Sequence, residues 1–203
     1  MSHNLNKKAL ILSYFTVIYN VIEGVVSILV GAISNSVALT SFGIDSFMES
    51  LSGSVMIWRF RKHASLTDEE AEKMEQRAVK LVGYTFFILG AYVLYESGSK
   101  LYLQEKPDPS LVGIIIAVLS LIIMPFLAYM KNDTGKKLNS HSLVADSKQT
   151  YVCTMMTIAL LLGLGLNYVY GIWWADPAAG IAISFLLFKE GYSALEKKDL
   201  CGC

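Results

Sequence analysis

Apolar residues run along this chain in six stretches separated by short polar segments: 9–33, 37–58, 81–99, 111–129, 143–170 and 175–188. A helix rises about 1.5 Å per residue, so the roughly 20 residues in most of these stretches match a hydrocarbon core about 30 Å thick. The sixth is shorter, and Lys189 at its end is expected to reach out to the interface. The pattern predicts an all-α, polytopic membrane protein: one transmembrane domain of six helices spanning residues 1–203. The first stretch is too long for a cleaved signal peptide and too polar in its middle, at Asn20 and Glu23, so it is expected to stay in the mature chain.

Composition supports the same class, since 54% hydrophobic and 17% charged residues would make a poor soluble domain. The formal net charge is zero, which excludes the chain-wide basic field of a nucleic-acid binder. What matters is where the charges fall. Lys7 and Lys8, the six basic residues from Arg59 to Lys80, the loop with Lys131, Lys136 and Lys137, and the tail with Lys189, Lys197 and Lys198 put fourteen on one side. Lys100 and Lys106 fall on the other, so the positive-inside rule predicts that both termini are cytoplasmic. Thr67-x-x-Glu70 has the spacing of a capping box, predicting a helical start that carries the third segment into the cytosol. Three cysteines, two of them in Cys201-Gly202-Cys203, form no disulfide framework.

Carboxylates at membrane depth cost several kcal/mol each and mark ion or proton pathways. Asp45 and Glu49 stand one helical turn apart in the second stretch, and Asp146 stands in the fifth beside Gln149 and Thr150. Counted from the basic boundary residues Arg59 and Lys137, Glu49 and Asp146 both lie roughly 14 to 15 Å inside. Glu23 on the first helix falls level with Asp45 and Thr150. At about 100° per residue, Ser41, Asp45, Glu49 and Gly53 share one stripe, while Ser142, Asp146, Gln149, Thr150, Cys153 and Thr157 share another. Two such stripes facing each other supply four or more donors to a divalent cation. Asp45, Glu49 and Asp146 are the primary candidate ligands, with Ser142, Gln149 and Glu23 as secondary ones.

Other polar positions have structural readings. Ser46, Ser50 and Ser54 form a small-residue stripe suited to close helix packing. Glu96 and Lys100 have the favourable i, i+4 order, Lys148 points away from Asp146 and is expected to snorkel, and Asp176-Pro177 is expected to cap the sixth helix.

Asn20 in the first helix, Ser36-Val37-Ala38-Leu39 leading into Asp45-x-x-x-Glu49, Asp146 in the fifth and Asp176-Pro177 opening the sixth resemble, in order and spacing, the cation diffusion facilitator family of divalent-metal transporters. The resemblance implies six helices with cytoplasmic termini, a homodimer, and metal held by paired carboxylates of the second helix with a His-x-x-x-Asp pair of the fifth. This chain departs from that pattern. Glu49 stands where Asp is usual, Ser142 stands where a zinc-selective member carries His, and His141 is one residue out of register. The short chain is expected to lack the family's cytoplasmic C-terminal domain.

A site of mostly oxygen donors predicts broad selectivity, Zn²⁺ together with Co²⁺, Fe²⁺ or Mn²⁺. Carboxylates must lose protons to bind metal, so the expected activity is export of divalent cations from the cytoplasm across the cell membrane's lipid bilayer by proton antiport. No HExxH signature, GxSxG elbow or Gly-rich phosphate loop occurs, so neither an enzyme nor a prosthetic group is expected. The other reading is a non-transporting membrane scaffold or regulator whose acids are hydrogen-bonded structurally.

Overall fold

Six helices account for nearly all of the residues that the computed structural model describes, 2–62 and 68–196. They are α1 (Ser2–Ile33), α2 (Val37–Lys62), α3 (Asp68–Leu103), α4 (Leu111–Leu138), α5 (His141–Tyr170) and α6 (Ala175–Glu196). Thr67 of the expected capping box, Cys201 and Cys203 lie outside the described residues, as do the side chains of Glu70, His141 and Ser142.

The helices run past the apolar stretches because capping, rather than hydrophobicity, ends them. α4 continues beyond Tyr129 to Leu138, where Asn139 turns left-handed (φ 51°) and Ser140 begins α5 by accepting a hydrogen bond from the Leu143 amide at 3.4 Å. Lys131, expected in a cytoplasmic loop, therefore lies within α4 and is fully buried. α6 extends over 22 residues, long enough to need no help from Lys189.

Asp176 corrects a second expectation. Its carboxylate serves α2 rather than its own helix, accepting from the Val37 amide at 3.0 Å and from the Ser36 hydroxyl, while Ser36 Oγ accepts from the Leu39 amide at 3.1 Å. An acid at the positive end of α2 is favourable, and it ties α6 to that end. Lys100 does similar work at the end of α1. Its ammonium donates to the Asn35 carbonyl at 2.8 Å, while the expected partner Glu96 stands 4.0 Å away.

α1 packs chiefly on α2, α3 on α6 and α4 on α5, and α2 also meets α3, α5 and α6. Glycines permit the closest approaches. A Cβ added at Gly24 would come within 2.9 Å of the Gly43 carbonyl oxygen, and one at Gly43 within 2.9 Å of the Gly24 oxygen, so neither helix of the α1/α2 pair has room for a side chain there. Ser50 and Ser54 turn their hydroxyls back onto carbonyls of their own helix, at 3.0 and 2.8 Å.

The outer surface is apolar. Ile11, Phe15, Ile18 and Ile22 form an exposed stripe on α1, and Ile115, Ile122, Phe126 and Tyr129 do the same on α4. Lys148 also stands on an exposed face. Four segments, Asn4–Ile33, Leu111–Leu138, Leu143–Tyr170 and Ala175–Glu196, are long and apolar enough to cross a membrane. α2 falls short of that measure because Asp45, Glu49 and its serines lower its hydropathy, yet it is enclosed by α1, α3, α5 and α6. Asp45, Glu49, Ser41, Ser46 and Ser50 of α2 face protein, whereas Ser54 is exposed. The chain is an all-α, multi-pass membrane protein.

Candidate metal centre

Asp45 and Glu49 on α2 and Asp146 on α5 are buried, each exposing 3% or less of its surface. Polar side chains of α2 and α5 meet where the two helices touch. The Thr150 hydroxyl donates to Glu49 Oε1, and Ser52 Oγ donates to Asp146 Oδ1 at 2.7 Å. The i, i+4 spacing read from the sequence thus brings Glu49, Asp146 and Thr150 into one cluster.

Lys131 enters this cluster from α4. Its Nζ lies 2.9 Å from Asp146 Oδ2 and 3.5 Å from Glu49 Oε1, and it donates to Thr150 Oγ1 at 3.0 Å. An isolated ammonium would not be tolerated at such depth. Unit charges about 4 Å apart attract by roughly 4 kcal/mol at an effective dielectric constant near 20, which offsets part of the desolvation of all three groups. The sequence held a usable signal for Lys131. With Asn139-Ser140 recognised as a helix stop followed by a start, Lys131 falls two turns inside α4 rather than in a loop.

Asp45, one turn from Glu49, lies instead near the Cys153 thiol of α5. Among the described residues, Glu49 Oε2 is buried with no hydrogen-bond partner, and so is Gln149 Nε2 on the neighbouring face of α5. Glu23 is buried against α2 but engaged elsewhere: the Tyr19 hydroxyl donates to Oε1 at 2.9 Å and Ser46 Oγ to Oε2 at 3.0 Å. Beside it the fully buried Asn20 side-chain amide makes no hydrogen bond among the described residues. Among the described residues no three His, Cys, Asp or Glu side chains converge closely enough to hold a metal ion. The arrangement offers carboxylates from two helices, a thiol, a hydroxyl and an ammonium, all shielded from solvent. Such a set can exchange one cation for another.

Comparison with known proteins gives the same direction. The cation efflux transmembrane domain matches residues 13–198. Transmembrane protein 163 of Xenopus laevis is 24% identical over 195 residues, covering 96% of this chain and 68% of that protein. An uncharacterized transporter of Methanocaldococcus jannaschii is 25% identical over 199 residues, 96% of this chain and 67% of its own length. The cadmium, cobalt and zinc/H⁺-K⁺ antiporter of Bacillus subtilis is 23% identical over 207 residues, 95% of this chain and 63% of its own. This chain therefore spans about two thirds of the length of these relatives. With a match across nearly the whole chain and six helices of the expected order, the protein belongs to the cation efflux family of transporters.

Proposed function

We propose that this transporter exports divalent transition-metal cations from the cytoplasm in exchange for protons, Zn²⁺ first, with Co²⁺, Fe²⁺ and Mn²⁺ also accepted. The observation that carries the reading is the burial of Asp45, Glu49 and Asp146 at the contact of α2 and α5, in a chain whose outer face is built for lipid. These three carboxylates are the cation ligands, with Ser142, Gln149 and Glu23 as further donors. The Bacillus subtilis relative's name, a metal/H⁺-K⁺ antiporter, supports the exchange chemistry.

The chemistry follows from the donors. A protonated carboxyl group cannot ligate a metal through that oxygen, so loading expels protons and reprotonation on the far side promotes release. Protons and metal compete, so apparent metal affinity falls as pH falls. In proteoliposomes, Zn²⁺ uptake should release protons in proportion to the metal moved, and the half-saturating Zn²⁺ concentration should rise on acidification. Zn²⁺ flux that is indifferent to pH and moves no protons would replace the antiporter with a uniporter or channel.

The Lys131 ion pairs favour a second reading, a non-transporting scaffold in which the ammonium satisfies the acids structurally. Sealed proteoliposomes separate the two. A scaffold moves none of Zn²⁺, Co²⁺, Fe²⁺ or Mn²⁺.

A further inference from the structure

Lysine is almost never fully buried unless paired, and Lys131 is among the largest fully buried side chains in the protein. Its ammonium is surrounded by oxygens from two helices: Asp146 Oδ2 at 2.9 Å, Thr150 Oγ1 at 3.0 Å and Glu49 Oε1 at 3.5 Å. Asp146 and Glu49 are two of the three residues assigned above to the transported cation. The stem that carries the ammonium comes from α4, a helix that contributes no ligand to that set. Glu49 Oε2 meanwhile has no hydrogen-bond partner among the described residues, leaving a buried carboxylate oxygen with unused capacity.

We propose that the Lys131 ammonium is a tethered counter-ion that fills the cargo position between Glu49 and Asp146, and that a divalent cation binds by displacing it. The inference rests on the cation-transport reading and deepens it. Without cargo, two carboxylates held together at depth would repel each other and pull the α2/α5 contact apart; the ammonium neutralises them in place. A divalent cation brings twice the charge and takes direct ligation from the same oxygens. It cannot share them with the ammonium that stands 2.9 Å from Asp146 Oδ2, since two cations held by one carboxylate oxygen repel in a medium that screens poorly. Cargo affinity is thereby lowered by the work of expelling Lys131, and the returning ammonium helps drive cargo out. A carrier needs both properties, because a site that only binds tightly does not release.

A lysine that merely staples α4 to α2 and α5 predicts something different. Removing a staple loosens the site and weakens cation binding, whereas removing a competitor strengthens it.

The test measures equilibrium Co²⁺ binding to the purified full chain in detergent, followed by the visible absorption of bound Co²⁺, for wild type, Lys131→Met and Lys131→Arg. Methionine keeps the length and apolar stem without the charge, and Lys131→Met should bind Co²⁺ at least about tenfold more tightly. Arginine keeps the charge and grips two carboxylates with a planar fork, so Lys131→Arg should bind at least about tenfold more weakly. Affinity of folded Lys131→Met equal to or below wild type overturns the proposal. Should that variant fail to fold, Lys131→Arg decides, and Co²⁺ affinity equal to or above wild type overturns it. A wild type that neither binds Co²⁺ nor carries it into liposomes defeats the transport reading itself, and the counter-ion with it. A wild type that carries Co²⁺ while Lys131→Met binds no tighter defeats only the counter-ion.

Discussion

Asp45→Asn should lower divalent-cation flux by on the order of a hundredfold or more while leaving the protein folded. The loss follows from electrostatics: one unit of negative charge removed about 4 Å from a cation forfeits several kcal/mol in a buried setting, and each 1.4 kcal/mol is tenfold. The intact fold follows from the partners of Asp45. The ammonium of Lys131 pairs with Glu49 and Asp146, so neutralising Asp45 orphans no buried cation. Asparagine keeps the shape of the side chain it replaces. Zn²⁺ flux in proteoliposomes, alongside thermal unfolding in detergent, checks both halves. Wild-type flux from folded Asp45→Asn would remove Asp45 from the site.

Asp146→Ala should behave otherwise, losing stability as well as transport. It deletes the nearest anion of a fully buried ammonium and the acceptor of Ser52, leaving Lys131 with Glu49 at 3.5 Å and the Thr150 hydroxyl. Removing one partner of a buried ion pair typically costs about 3–5 kcal/mol. Adding Lys131→Met to Asp146→Ala should cost less than the sum of the two single effects, because the ion pair that both substitutions break is lost only once, although Glu49 is then left without its ammonium and transport stays lost. A double mutant whose destabilisation equals the sum of the two single effects would mean that the two residues are not energetically coupled.

Most of the architecture was written in the apolar pattern. The helix order, the starts of α2, α4 and α6 and the shared depth of Glu49 and Asp146 follow from local periodicity and from one rise per residue, and both are read along a single chain. What escaped were contacts between helices. Nothing local says that Asp176 reaches back to Ser36 and Val37, or that Lys100 holds Asn35 more closely than Glu96. Both are charged groups placed by tertiary packing at the ends of other helices. Lys131 was missed for a related reason: a lysine beyond an apolar run reads as an interfacial charge, whereas the run ended before the helix did. The depth count that placed the carboxylates would have placed Lys131 beside them had the end of α4 been taken from Asn139-Ser140 rather than from hydropathy. The cytosolic start of α3 and the terminal Cys201 and Cys203 lie where side-chain structure is not described, so those readings stay expectations.

That the carboxylates of α2 and α5 hold the transported cation is tested most directly by locating the cation. Diffraction from crystals grown with Zn²⁺, recorded on both sides of the zinc absorption edge, should give an anomalous peak between α2 and α5, about 2.0–2.2 Å from carboxylate oxygens of Asp45, Glu49 and Asp146. A transport-competent protein whose peak lies elsewhere, with those three carboxylates unliganded, would contradict the account.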